Sequence, residues 1–201
     1  MEKEPPSEMK RILLTALFLT GLTGLATAQV KMEDLQTKNP DSPNASTTVT
    51  INGKQLWIAY HAPSVKGRKI FGGADALQPD GTIWRLGADY ATVLHTDADL
   101  DLNGLAVPKG DYALYADLDK GQWKLIVNKT LMQGTRHIWG INRDGTTTND
   151  PATELGRVTM TMGKPGSTVE TCKITLSGSG TKGKLLVEFE KVTASVPFTV
   201  K

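Results

Sequence analysis

The sequence predicts an all-β chain, an antiparallel β-sandwich of nine to ten short strands with at most short helices. Three observations carry this. From Ser46 onward apolar residues recur at every second position rather than every 3.6. Turn signals such as Asn52-Gly53, Pro79-Asp80-Gly81 and Asn103-Gly104 punctuate the chain at short intervals. No amphipathic helix and no strand–helix–strand rhythm appears, which leaves two packed antiparallel sheets as the economical arrangement.

The chain opens on a leader. Lys10-Arg11 precede an uncharged apolar run from Ile12 to Leu25, and Ala26-Thr27-Ala28 follow. A positive start, a short apolar middle and small residues at −3 and −1 describe a secretory signal over residues 1–28, cleaved before Gln29. The run is too short to cross about 30 Å of hydrocarbon as a helix, so no membrane span is expected after cleavage. Met9, just before the basic pair, is the expected start of translation. Gln29 stands where a lipid-anchored protein would carry Cys. The chain is therefore expected to be exported, either periplasmic or secreted.

Residues 29–45 are polar, contain Asn39-Pro40 and Ser42-Pro43, and read as an extended lead-in with room for a helical turn or two between Lys31 and Lys38. A single sandwich domain is expected over 46–201. Its first unit is a hairpin, Thr48–Ile51 and Lys54–Tyr60, closed by Asn52-Gly53, whose positive φ angles suit a type I′ turn. Strands follow near 82–86, 90–96 and 99–107, the last turning at Asn103-Gly104. Tyr112, Leu114 and Ala116 share one face of the next strand, and Trp123, Leu125 and Val127 share a face of its successor. Residues 129–156 have no clear period and read as a long crossover or loop with room for one short helix. Four final strands fall near 157–162, 170–176, 184–192 and 195–200.

Composition bounds the function. At 201 residues and 39% hydrophobic content the chain supports one well-buried domain and not two. Its 23 basic against 21 acidic side chains form no basic block, which gives no electrostatic case for nucleic acid or an anionic membrane. Cys172, the single cysteine, cannot form an intramolecular disulfide and shares parity with Ile174 and Leu176 on a core face.

Several motifs imitate known chemistry. Gly178-Ser179-Gly180-Thr181-Lys182-Gly183-Lys184 fits a GxGxxG spacing, but it leads into the strand-like Leu185–Phe189 instead of the helix that phosphate binding needs. It reads as a hairpin loop. Asp97, Asp99, Asp101 and Asn103-Gly104 resemble a calcium loop, yet Gly110 stands where a bidentate Glu should close the shell. The histidines His61, His95 and His137 form no metal-ligand spacing, so no metal and no cofactor is expected. No GxSxG elbow is present.

The most distinctive stretch is Trp84-Arg85-Leu86-Gly87-Ala88-Asp89, preceded by Gly67–Gly72. Arg68 and Arg85 suit an anionic or carbonyl group, with Trp84 and Tyr90 as stacking surfaces and Asp89 beside them. The same residues also read structurally, with Trp84 in the core and an arginine pinning the loop.

Here the chain resembles an exported bacterial family, domain of unknown function 2911. The resemblance rests on Ala62–Gly72, Trp84–Ala88, Asn103-Gly104, Val107–Tyr112, Trp123–Asn128, His137–Gly140 and Ser195–Phe198, and spans roughly 46–201. It implies a signal peptide and a mostly β domain, and no established reaction. The family's usual motif reads closer to Trp-Arg-x-Gly-Ala-Asn, where this chain has Asp89.

Three readings follow. A non-catalytic binding module would use Arg68, Trp84, Arg85, Asp89 and Tyr90 on a small molecule. An envelope structural component would instead meet a protein partner. A hydrolase or lyase would need His61, Asp89 and His95 to converge as an acid/base set.

Overall fold

The computed structural model describes Met1 and residues 31–36, 40–133, 136–137 and 139–201. Apart from Met1, the expected signal segment 1–28 lies outside the described residues. Among them, the first half of the chain forms β1 (Asn44–Ile51), β2 (Lys54–His61), β3 (Ile83–Trp84), β4 (Ala88–Thr96), β5 (Leu100–Leu102), β6 (Leu105–Val107) and β7 (Gly110–Asp117). The second half forms β8 (Lys124–Asn128), β9 (Met132–Gln133), β10 (Arg136–His137), β11 (Glu154–Thr159), β12 (Thr161–Gly163), β13 (Val169–Ser179), β14 (Lys182–Glu190) and β15 (Val192–Val200). Among the described residues, helix is limited to two 3₁₀ turns, Met32–Leu35 and Pro151–Thr153. No helix among the described residues is long and apolar enough to cross a membrane.

The expected sandwich is present as two antiparallel sheets. The seven-stranded sheet runs β1-β2-β4-β7-β8-β11, with β3 beside β7; the six-stranded sheet runs β13-β14-β15-β5-β6, with β12 beside β15. β9 and β10 form a separate two-stranded ribbon. The excess of strands over the nine to ten expected comes from short pieces: the Asn103-Gly104 turn splits β5 from β6, β11 and β12 divide at Met160, and β9 and β10 lie in the crossover. Asn52 (φ +50°) and Gly53 (φ +71°) close the first hairpin in the left-handed geometry that their side chains tolerate.

One core fills the space between the sheets. Leu56, Ile58, Leu114, Leu125 and Val127 from the first sheet meet Cys172, Ile174, Leu185, Val187, Phe189 and Val196 from the second. Along one edge the sheets are also stitched by hydrogen bonds. The backbone N–H of Ile174 donates to the Tyr60 hydroxyl at 3.0 Å, and that of Leu176 donates to Thr47 Oγ1 at 3.1 Å. The GxGxxG-like segment is a hairpin, with Ser179 paired to Lys182 and strand β14 running on through Gly183.

The two sheets differ on their outer sides. Strand β14 alternates buried with partly exposed residues, as a sheet with one wet face should. Strands β2 and β7 are buried on almost consecutive positions, so the seven-stranded sheet is covered on both faces. Part of the roof is the lead-in: Leu35 packs on Trp57, Ala59 and Val93. The single turn at Met32–Leu35 falls within the Lys31–Lys38 stretch where a helical turn or two has room, and it buries Leu35. Sheet pairing starts earlier than expected, with Asn44 opposite His61 and Ala45 opposite Tyr60. Further cover comes from described residues of the 129–153 crossover. Leu131 packs against Ala91, Ala113, Tyr115 and Ile126, and the Tyr115 hydroxyl lies 3.1 Å from Thr148 Oγ1. Asn128 ties the crossover down, donating to Asn149 Oδ1 and the Asp150 carbonyl while its own oxygen accepts from Thr130 N–H and Thr153 Oγ1.

Candidate functional site

The Trp84–Asp89 stretch is held in shape by its own residues. Trp84 turns inward, 3% exposed, against Phe71, Trp123 and Phe189. Its indole N–H donates to the Gly87 carbonyl at 3.0 Å. Thr92 Oγ1 donates to the Leu86 carbonyl, and Thr92 N–H donates to the Arg85 carbonyl. Gly87 is required by close approach, because a Cβ there would stand 2.9 Å from the His61 carbonyl oxygen. Leu86 (φ +58°) and Asp89 (φ +52°) both occupy the left-handed region, which for a leucine is uncommon and costly. The backbone is thus forced to swing Arg85 and Asp89 toward His61 at the end of β2.

These three residues share one field. Burial pulls the Arg85 guanidinium below its ordinary range, while the nearby Asp89 charge opposes the shift. Arg85 Nη1 donates to the Trp139 carbonyl at 3.3 Å. Its stem lies against Gly140, where a Cβ would come within 2.6 Å of Arg85 Cδ. Asp89 Oδ2 is buried and accepts no hydrogen bond among the described residues, so the neighbouring guanidinium does not close on it. Tyr90 sits between two rings, 5.8 Å from His61 and 5.0 Å from Trp139, the latter edge to face. Trp139 is 47% exposed, and large apolar side chains elsewhere are mostly buried.

The expected binding set is therefore only partly assembled. Arg85, Asp89 and Tyr90 come together, joined by His61. Arg68 does not join them: its Nε and Nη2 donate to the carbonyls of Val65 and Ser64 in its own loop. That loop hangs on β13 through Val65 N–H to the Glu170 carbonyl. Trp84 lies in the core, so its ring is not an open stacking surface. Trp139 supplies the exposed aromatic face instead. It stands in the aperiodic His137–Gly140 segment, where spacing gave no hint of burial or partner.

The acid/base set is also divided. His61 and Asp89 are neighbours, but His95 pairs opposite Trp57, four residues down β2 and roughly 13 Å away at ~3.3 Å per residue. There His95 stacks on Trp57, with Asp111 Oδ1 2.7 Å from Nδ1 and Asp97 Oδ1 3.2 Å from Nε2. Asp111 is its cross-strand partner, so the pair joins β4 to β7. The acids of the calcium-like loop serve the backbone: Asp99 accepts from Lys109 N–H, and Asp101 accepts from Gly104 N–H. No group of three metal-ligating side chains occurs among the described residues. Cys172 is sealed between the sheets, and burial pushes its thiol pKa up to about 12. The side chain of His137 lies outside the described residues.

His61 gives the site a pH signature. Burial pushes it below its ordinary pKa of 6.5; Asp89 opposes this and Arg85 adds to it. The unfolded chain takes up a proton near 6.5 and the folded chain only at lower pH, so folding is weakened as pH falls from 6.5 toward the folded value. Denaturant midpoints should drop on going from about pH 7.5 to about pH 5.5, and His61→Gln should remove that slope. The acid step of Glu154, held below its ordinary 4.5 chiefly by the Arg157 hydrogen bond, lies lower and should persist. An unchanged slope in the variant would place the titration elsewhere.

The architecture and site define an all-β sandwich protein with an aromatic-flanked surface bearing one cation and one carboxylate at the strained start of a central strand. The chain belongs to the family described as Protein of unknown function (DUF2911), whose profile matches residues 42–198. No curated protein and no solved structure matches the chain.

Proposed function

We propose that this protein is an exported, non-catalytic binding module that holds a small polar ligand at Arg85, Asp89, Tyr90 and Trp139. The observation that carries the reading is the buried Asp89 Oδ2, which has no hydrogen-bond partner among the described residues although a guanidinium stands beside it. A polar atom left so costs about 1–3 kcal/mol unless something donates to it, and a bound ligand is the simplest donor. The positive φ angles of Leu86 and Asp89, two within four residues, support the same reading, because strained φ angles gather at ligand-holding sites. The acid/base alternative has less support, since His95 is occupied by Asp97 and Asp111 at a distance from His61. Export is supported by the leader-like sequence before Gln29.

The test uses the full chain expressed in an exporting host. N-terminal sequencing of the exported protein should begin at Gln29. Titration with a panel of small carboxylates, amino acids and sugars, followed by the indole N–H resonance of Trp139, should identify at least one binder. Arg85→Gln should abolish that shift with the melting temperature unchanged within about 2 °C, as expected for a partly exposed side chain without a core role. Loss of folding in Arg85→Gln, or binding indifferent to it, would overturn the assignment.

A further inference from the structure

We propose that the ligand is a neutral carbohydrate, a pyranose ring laid on Trp139 with adjacent hydroxyls bridging Arg85 and Asp89. This rests on the reading of the site as a binding site and goes further by naming the chemistry it takes.

Charge is the first argument. With Arg68 occupied by the carbonyls of Ser64 and Val65, Arg85 is the single guanidinium that the described residues place at the site, and the Asp89 carboxylate stands beside it. Their charges cancel. A free anion would gain Arg85 and meet Asp89, whereas a neutral ligand meets no such conflict. Hydrogen-bonding capacity is the second. Arg85 offers five N–H donors and among the described residues makes one long bond, to the Trp139 carbonyl at 3.3 Å, while Asp89 Oδ2 is an acceptor without a donor there. A vicinal diol carries a donor and acceptors on each of two neighbouring carbons, so it can satisfy both residues at once. A carboxylate ligand, which only accepts, would leave Asp89 Oδ2 as it is.

The third argument is the flat surface. Trp139 is half open, and Tyr90 packs against it at 5.0 Å with 75° between the planes. An exposed indole face offers apolar area to the C–H face of a sugar while the polar groups beside it meet the hydroxyls. Rigidity is the fourth. Arg85 is clamped by Gly140 and the Asp89 backbone is set, so binding asks only that the carboxylate turn its covered Oδ2 toward the ligand.

The experiment compares neutral oligosaccharides (gluco-, manno-, xylo- and N-acetylglucosamine oligomers), a galacturonate oligomer and free amino acids, each at millimolar concentration. The readout is the Trp139 indole resonance in the wild type, Arg85→Gln, Asp89→Asn and Trp139→Ala. The wild type should bind a neutral oligosaccharide and prefer it to the uronate. Asp89→Asn is compatible with the left-handed backbone. It should weaken the neutral sugar by at least about tenfold, the worth of a hydrogen bond to a charged group. It should also turn the preference toward the uronate, because Arg85 is then unbalanced. Arg85→Gln should lose both, and Trp139→Ala, read from backbone amides of β4, should lose the neutral sugar. Binding of amino acids or carboxylates through Arg85 with no response to any neutral sugar would overturn the carbohydrate inference and leave the binding site standing. No binder of any class, or sugar binding unaffected by Arg85→Gln, would overturn both.

Discussion

Alanine in place of Trp84 should cost about 4 kcal/mol in packing alone, the usual toll for emptying a buried tryptophan site. It also leaves the Gly87 carbonyl without the indole N–H that now donates to it, worth roughly another 1 kcal/mol or more. A domain of this size holds about 5–15 kcal/mol in total, so the variant should be close to unfolding at room temperature. Circular dichroism during urea titration would show it. Trp84→Phe keeps a ring against Phe71, Trp123 and Phe189 and should lose only about 1–2 kcal/mol, from the missing hydrogen bond and a smaller fill. A Trp84→Ala protein melting like the wild type would return this residue to the list of ligand-stacking surfaces.

The second large effect should come from a single methyl group at Gly183. The ring of Phe198, its cross-strand partner, lies over this position so closely that a Cβ would stand 2.2 Å from Phe198 Cζ. Gly183→Ala must push a core aromatic aside, and a loss of about 3 kcal/mol is expected for overpacking of this kind. Adding Phe198→Leu should recover part of the loss, giving a non-additive pair in a denaturant double-mutant cycle. Additive losses, or an alanine variant as stable as the parent, would contradict the packing. Gly178 has the same reason to exist, with Ile51 Cδ1 at 2.4 Å from its would-be Cβ. Two of the glycines that mimic a nucleotide-binding loop are therefore spaces left for neighbouring side chains.

The legible parts of this chain are the local ones. Asn52-Gly53 and Asn103-Gly104 announce their hairpins because the turn demands their φ angles whatever surrounds them. Strands β13 and β14 show their parity because one side faces water. The seven-stranded sheet is harder to read: Trp57, Ala59, Ala113 and Tyr115 are apolar on its outer face, and nothing in their spacing says that Leu35 and Leu131 cover them. The site suffers from the same lack. Arg68, Trp84 and Arg85 are close in sequence, yet the loop sends Arg68 to its own carbonyls and Trp84 into the core. The strained turn at Asp89 decides which side chains emerge together, and Trp139 reaches them from a segment without any period.

The sealed position of Cys172 has a practical consequence. Its thiol is unreactive at neutral pH while the two sheets stay together, and the chain has no other. A thiol-specific reagent therefore modifies the protein only when the sandwich comes apart, and its uptake of label is a clock for global opening. For the same reason a cysteine engineered on the surface could carry a dye or spin label without first removing the native one.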